Sequence, residues 1–235
     1  MNQFQYQESA FDSAYSLAGH MNAVMRRVYL KMTLGLIVSA LVAMLAASST
    51  PLLGYFTSHP LIMLLLFGAE IGLVIGISGA INKLSSSVAT MLFFLFAIVN
   101  GLSLFPILLV YTHVSIFKTF FITAGVFGAM SVYGMFTTRD LTNWGTVLIM
   151  GLFGLIIVSL VNIFLKSPAM EWIISGAGVL IFIGLTAWDT QRIKQMALMV
   201  PADQAGKVAT IGALNLYLDF INLFLYLLRF FGNRN

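Results

Sequence analysis

The sequence predicts an all-α integral membrane protein, a bundle of seven transmembrane helices, and three observations carry this. Of its 235 residues 60% are hydrophobic and only 9% charged, whereas an ordinary soluble domain carries roughly a quarter charged residues. The mean hydropathy is +0.96. The apolar residues also gather into runs near 30–49, 61–82, 87–111, 116–136, 144–165, 170–192 and 208–231, each close to the ~20 residues that a helix needs to cross a bilayer core.

The first run follows a polar lead that ends in Arg26 and Arg27 and closes on the small residues Ala46, Ala47 and Ser48. This imitates a signal peptide, but the lead is too long and further apolar runs follow, so we read an uncleaved first membrane helix. Residues 1–28 read as a polar cytoplasmic tail, disordered in its Gln-, Ser- and Tyr-rich part, and 29–235 as the transmembrane domain. Between the later runs the sequence places turn and charge chemistry: Ser49-Thr50-Pro51, His59-Pro60, Lys83 with Ser85 to Ser87, His113, Arg139-Asp140, Lys166-Ser167-Pro168, and the polar stretch from Gln191 to Lys207. On the second span Gly68, Gly72 and Gly76 recur every four residues, a spacing expected to let a neighbouring helix approach closely; Gly125 with Ala129 and Gly151 with Gly154 fit the same role.

Arg26, Arg27, Lys31, Lys83, Arg139, Arg192, Lys194 and Lys207 fall on one side of this topology, and Lys118, Lys166, Arg229 and Arg234 on the other. The excess places the N-terminus in the cytoplasm and the C-terminus outside. The net charge of +4 and pI of about 9.4 thus express topology, with no nucleic-acid partner implied. There are no cysteines, which excludes thiol chemistry, and His20, His59 and His113 have no metal-ligand spacing.

Three acidic residues lie inside apolar runs: Glu70 in the second span, Asp189 late in the sixth and Asp219 in the seventh. A carboxylate in hydrocarbon costs at least ~2.5 kcal/mol on insertion scales, so such groups face the bundle interior, a partner or water. On the seventh span Asn215, Asp219, Asn222, Tyr226 and Arg229 follow one another at helical spacing, which draws a polar stripe along one face and suggests a hydrated pathway. On the sixth, Thr186 and Asp189 share a face that Arg192 continues. If Asp189 and Asp219 meet, mutual repulsion and desolvation keep both from ionising freely and the pair shares a proton. Spacing alone leaves this open, because the two residues lie roughly 10 Å apart in naive depth. Asn100 and Asn162 read as structural polar groups.

Paired membrane aspartates also bring intramembrane aspartyl proteases to mind. Here, however, Asp219 follows Leu216-Tyr217-Leu218 where those enzymes have Gly-x-Gly, and no Pro-Ala-Leu occurs. A Ser–His hydrolase lacks both a deep histidine and a Gly-x-Ser-Gly sequence. The reading is a protein that is not an enzyme.

The segment 214–224, Leu-Asn-Leu-Tyr-Leu-Asp-Phe-Ile-Asn-Leu-Phe, closely resembles the final-helix signature of the Bax inhibitor-1 family, bacterial branch. Gly184 to Gln191, Asn100 to Leu104 and Thr138 to Leu141 strengthen the resemblance. It implies a bundle wrapped around a central last helix, with Asp189 and Asp219 matching the family's paired aspartates. It further implies a pH-sensitive calcium leak in which the pair is sensor and gate. Glu70, Asn215, Asn222 and Thr186 would then be candidates for the ion pathway. Calcium is expected as a transported ion passing transiently near the aspartates, with no cofactor and no tightly held metal. The expected partners are the lipid bilayer, calcium and protons and, as in some bacterial relatives, a membrane-bound protease; the expected location is the bacterial inner membrane. The alternative is a non-channel interaction protein that modulates a membrane protease or a stress response. Some members latch the pair with an arginine late in the second span, where this chain offers only Lys83.

Overall fold

The computed structural model describes residues 3–59 and 61–235, with side chains from Ser16 onward; Pro60, in the expected break after His59, lies outside them. The described residues are almost entirely helical, and among them seven helices are long and apolar enough to span a membrane. In order they are α1 (Gln3–Ser48), the short α2 (Thr50–Ser58), α3 (Leu61–Ala80), α4 (Ser86–Val110), α5 (His113–Phe136), α6 (Thr142–Leu165), α7 (Pro168–Met199) and α8 (Ala205–Phe231), the last preceded by a 3-10 turn at Ala202–Gln204. All but α2 are spans.

The punctuation chemistry sets the ends. Ser85, Thr112 and Ser167 cap α4, α5 and α7 through their side-chain oxygens, which accept from Val88 N, Ser115 N and Met170 N. Pro51 opens α2 and Pro168 opens α7, where a missing N–H costs nothing. α2 was not expected, because nine residues in a Ser- and Pro-bounded break are too few to register as a span. The polar lead expected to be disordered is helical backbone from Gln3 onward. Core packing also begins before residue 28, with Val24, Met25 and Val28 fully buried.

The last helix is central. In α8 61% of the apolar window is buried inside the protein, against 33% or less in every other span. α1, α4, α5 and α7 pack directly around it and α3 touches it. α6 stands behind α7 and comes to α8 through Ser159, beside Tyr226. The outward faces of α3 and α6 are Leu, Ile and Phe, as a lipid-facing surface requires. Residues after Phe231 turn back across the α4–α5 junction: Thr112 N donates to Asn233 O at 3.1 Å and Asn235 N to Val110 O at 2.9 Å. Arg234 pairs with Glu171 at 3.0 Å.

The glycine expectation fails on α3. A Cβ at Gly68, Gly72 or Gly76 would meet nothing within 4 Å, and the same holds for Gly125 and Gly154. α3 packs on one side only, so its small-residue face is turned outward to the bilayer. Close approach occurs elsewhere, as where a Cβ on Gly145 of α6 would fall inside the Trp188 indole of α7.

Candidate functional site

α7 and α8 are the most closely packed consecutive pair, and their facing surfaces carry the aspartates. The chain runs on as helix to Met199, past the expected end near residue 192. Asp189 therefore lies ten residues before the end of α7 and Asp219 fourteen after the start of α8 at Ala205. At about 1.5 Å per residue this leaves a depth difference of only ~6 Å, which helix tilt closes.

The two carboxyls face each other in the bundle interior, 7% and 4% exposed. Asn215 Nδ2 donates to Asp189 Oδ1 at 3.4 Å, while Asp219 Oδ2 has no hydrogen-bond partner in the protein. The cation whose field reaches Asp189 is Arg192, which leans over the Trp188 ring at 5.2 Å. Lys83 lies exposed in the turn after α3, so this bundle has no α3 latch on the pair. Two carboxyls that face each other in a low-dielectric interior repel strongly when both are ionised.

The α7 segment that carries Asp189 is fixed from its far side. Gln191 uses both amide atoms: Nε2 donates to Arg139 O at 2.8 Å and Oε1 accepts from Leu141 N at 2.9 Å. The Thr138–Leu141 turn and the Trp188–Gln191 segment, far apart in sequence, thus meet. In that turn Asp140 Oδ1 accepts from Thr142 N at 2.9 Å and Thr142 Oγ1 at 2.6 Å, which holds its exposed carboxyl below the usual carboxylate range.

Several groups of the polar stripe of α8 are engaged within the protein. Asn222 Nδ2 donates to its own helix at Leu218 O, 2.8 Å. Tyr226 stacks on Phe182 at 5.8 Å, and Arg229 lies over the Tyr226 ring at 5.6 Å. Thr186 is buried and donates to Phe182 O at 2.7 Å, so its hydroxyl proton is engaged within α7. Part of the stripe thus packs against α7, through Tyr226 on Phe182, while Arg229 at its end is exposed.

Glu70 belongs to a different cluster. On α3 it faces Asn100 and Ser103 of α4, and its Oε1 is shielded from solvent without a partner at bonding distance. Asn100 Oδ1 accepts from Tyr217 Oη at 2.7 Å, and Tyr217 Oη lies 2.6 Å from Ser39 Oγ. Ser39 and Tyr217 were not legible as site residues; a hydroxyl in an apolar run and a Tyr between Leu residues carry no sequence signal. Lys31, read as a topological charge, proves to be an interhelical tie, its Nζ donating to Thr90 Oγ1 and Thr210 Oγ1, both at 2.7 Å. Asn162, in turn, caps the end of α6 by accepting from Ser167 N at 3.1 Å.

The fold and the buried pair define a seven-span α-helical membrane protein built around an aspartate-bearing central helix. Residues 21–235 match the family model described as "Inhibitor of apoptosis-promoting Bax1", and the chain belongs to the Bax inhibitor-1 family. Among similar proteins, the Inner membrane protein YbhL of Escherichia coli K12 is 46% identical over 226 residues, covering 95% of this chain and 97% of that one. A Borreliella burgdorferi protein is 46% identical over 215 residues, covering 91% and 93% of the two chains. Protein RP147 of Rickettsia prowazekii is 43% identical over 211 residues, covering 89% of each.

Proposed function

We propose that the protein is a pH-sensitive calcium leak of the bacterial inner membrane, with Asp189 and Asp219 as proton sensor and gate. The observation that carries this reading is the pair itself: two carboxyls face to face at mid-bundle on the central helix and its neighbour, one with an oxygen that no protein donor satisfies. With the pair sharing a proton, the α7–α8 seam is closed by hydrogen bonding. With both groups ionised, repulsion drives the helices apart and leaves carboxylate and Asn215 amide oxygens, hard ligands suited to calcium. Two carboxylates and an amide fall short of the six to eight oxygens of a storage site, which favours passage over retention. The relative named as an inner membrane protein supports the location, and the Lys and Arg excess supports a cytoplasmic N-terminus.

The test is calcium uptake by proteoliposomes from about pH 5.5 to about pH 8, comparing wild type with Asp219→Asn. Flux that varies with pH in the wild type and is flat in the variant is expected. Flux no greater than that of empty liposomes at every pH contradicts the reading. A second reading, an interaction protein whose aspartates clasp helices, is favoured by the packing of Tyr226, within the polar stripe, on Phe182 of α7. It requires Asp219→Asn to lower stability without a selective change in flux.

A further inference from the structure

A crevice of about 490 Å³ opens between α1, α5 and α7, at the end of the bundle that carries the Lys and Arg excess. Its walls are mainly apolar, with Met21 and Tyr29 on α1 and Val132 and Met135 on α5. It is open beside Gly128, where a Cβ would meet nothing within 4 Å. Two features are left unexplained by packing among the helices. Ser131 on the α5 wall is 5% exposed, yet its hydroxyl has no partner among the described residues. The rim also carries cations that form no ion pair among the described side chains. Lys194 donates to Met135 O at 2.7 Å and pairs with no carboxylate among the described side chains. Arg26 is exposed, one helical turn from Asn22 on the lining face of α1. Among the described side chains the salt bridge lies elsewhere, between Arg234 and Glu171.

An apolar slot at a helix-bundle flank, with a buried hydroxyl inside and, at its mouth, cations that meet no described acid, has the complementary chemistry of one kind of molecule. We infer that the crevice binds one anionic phospholipid of the leaflet on that side. An acyl chain fills the slot beside Gly128. The phosphodiester lies between Arg26 and Lys194, where basic pockets between spans attract anionic headgroups. Ser131 lies one helical turn, ~6 Å, deeper than Met135, the level at which a glycerol ester carbonyl follows its phosphate, and rotation about χ1 to another staggered well turns its shielded hydroxyl into the slot to donate to that carbonyl. A free phosphate would satisfy the cations but leave the slot and Ser131 unmatched. A zwitterionic lipid would fill the slot but bring its own cation to the rim.

The test is native mass spectrometry of the full-length protein, eluted from micelles containing phosphatidylglycerol and phosphatidylethanolamine with identical acyl chains. One retained phosphatidylglycerol per chain, in preference to phosphatidylethanolamine, is expected. Arg26→Gln and Lys194→Gln should each lower its retention about fivefold. Gly128→Leu, which occupies the slot without altering charge, should abolish it, and soluble glycerol phosphate should not displace the lipid. Equal retention of both lipids, retention unaffected by Gly128→Leu, or displacement by glycerol phosphate overturns the inference. Arg26 is exposed and Gly128 faces open space, so these two variants decide the matter even if Lys194→Gln loses its fold along with the bond to Met135.

Discussion

Tyr217 and Asp219, two residues apart on α8, point to opposite sides of the central helix: Tyr217 Oη donates to Asn100 of α4 at 2.7 Å, while Asp219 faces Asp189 of α7. Two residues turn an α-helix by about 200°, so one helix carries two separate buried polar systems. Tyr217 is fully buried, with Phe93 and Phe96 edge-on to its ring at 5.9 and 5.4 Å. The first system ties α8 to α1 and α4, and the second holds the facing aspartates of α7 and α8.

Tyr217→Phe tests that separation. It keeps the ring packing and removes the hydroxyl that Asn100 and Ser39 share, leaving the buried Asn100 oxygen without its donor. The cost should be about 1 to 2 kcal/mol, measured as a lowered unfolding midpoint in detergent, while the pH profile of calcium flux keeps its shape. A profile flattened like that of an aspartate variant would show that the two systems are one.

Gln191→Ala should loosen the turn that braces Asp189. Two backbone partners, Arg139 O and Leu141 N, are released together, at about 1 kcal/mol for each bond. Hydrogen exchange at the Leu141 amide should speed up. Gln191→Glu should behave in between, since it retains an acceptor for Leu141 N and loses the donor to Arg139 O. Unchanged exchange in both variants would contradict the role.

Glycine substitutions should separate tight seams from lipid-facing surface. Gly145→Ala drives a methyl into the Trp188 indole and should cost about 1 to 3 kcal/mol. Gly72→Ala meets open space and should be neutral or favourable by up to about 1 kcal/mol, because alanine gives up less backbone freedom in a helix. Both are read from unfolding midpoints in the same detergent.

Asp140 gives a pH dependence with a defined sign. Its carboxyl is held below the usual range by Thr142, so it binds a proton less readily folded than unfolded. The stabilisation of the α6 start is therefore complete above the unfolded value of about 4 and is lost as pH falls through the lower folded value. Asp140→Asn should remove this acid-dependent fraying, followed by exchange at the Thr142 amide below about pH 4.

Much of this architecture was legible because the bilayer imposes a strong code. Spans near 61–82 and 144–165 fall within a few residues of α3 and α6, since lipid demands unbroken apolar length and Ser, Pro and charge mark the exits. The central position of α8 came from the resemblance of 214–224 to a family signature, and burial agrees with it. The Asp189–Asp219 contact was equally beyond spacing, because the apolar run ends near residue 192 whereas the helix continues through Lys194 and Gln195 to Met199; polar residues ended the hydrophobic signal without ending the helix. Gly68, Gly72 and Gly76 misled because small-residue spacing is the same whether a helix face meets protein or lipid. The Ser39–Tyr217–Asn100 chain was invisible because it joins three helices, each contributing a single polar atom that only the fold brings together.

The central claim is that Asp189 and Asp219 act as one proton-controlled unit on calcium flux. The most direct measurement is the pH profile of calcium uptake for Asp189→Asn, Asp219→Asn and the double variant in the same liposomes. Coupling predicts that each single variant already loses the pH dependence and that the double variant loses no more, the non-additivity expected of groups sharing one function. Single variants that keep the wild-type profile, or that each remove an independent part of it, would contradict the account.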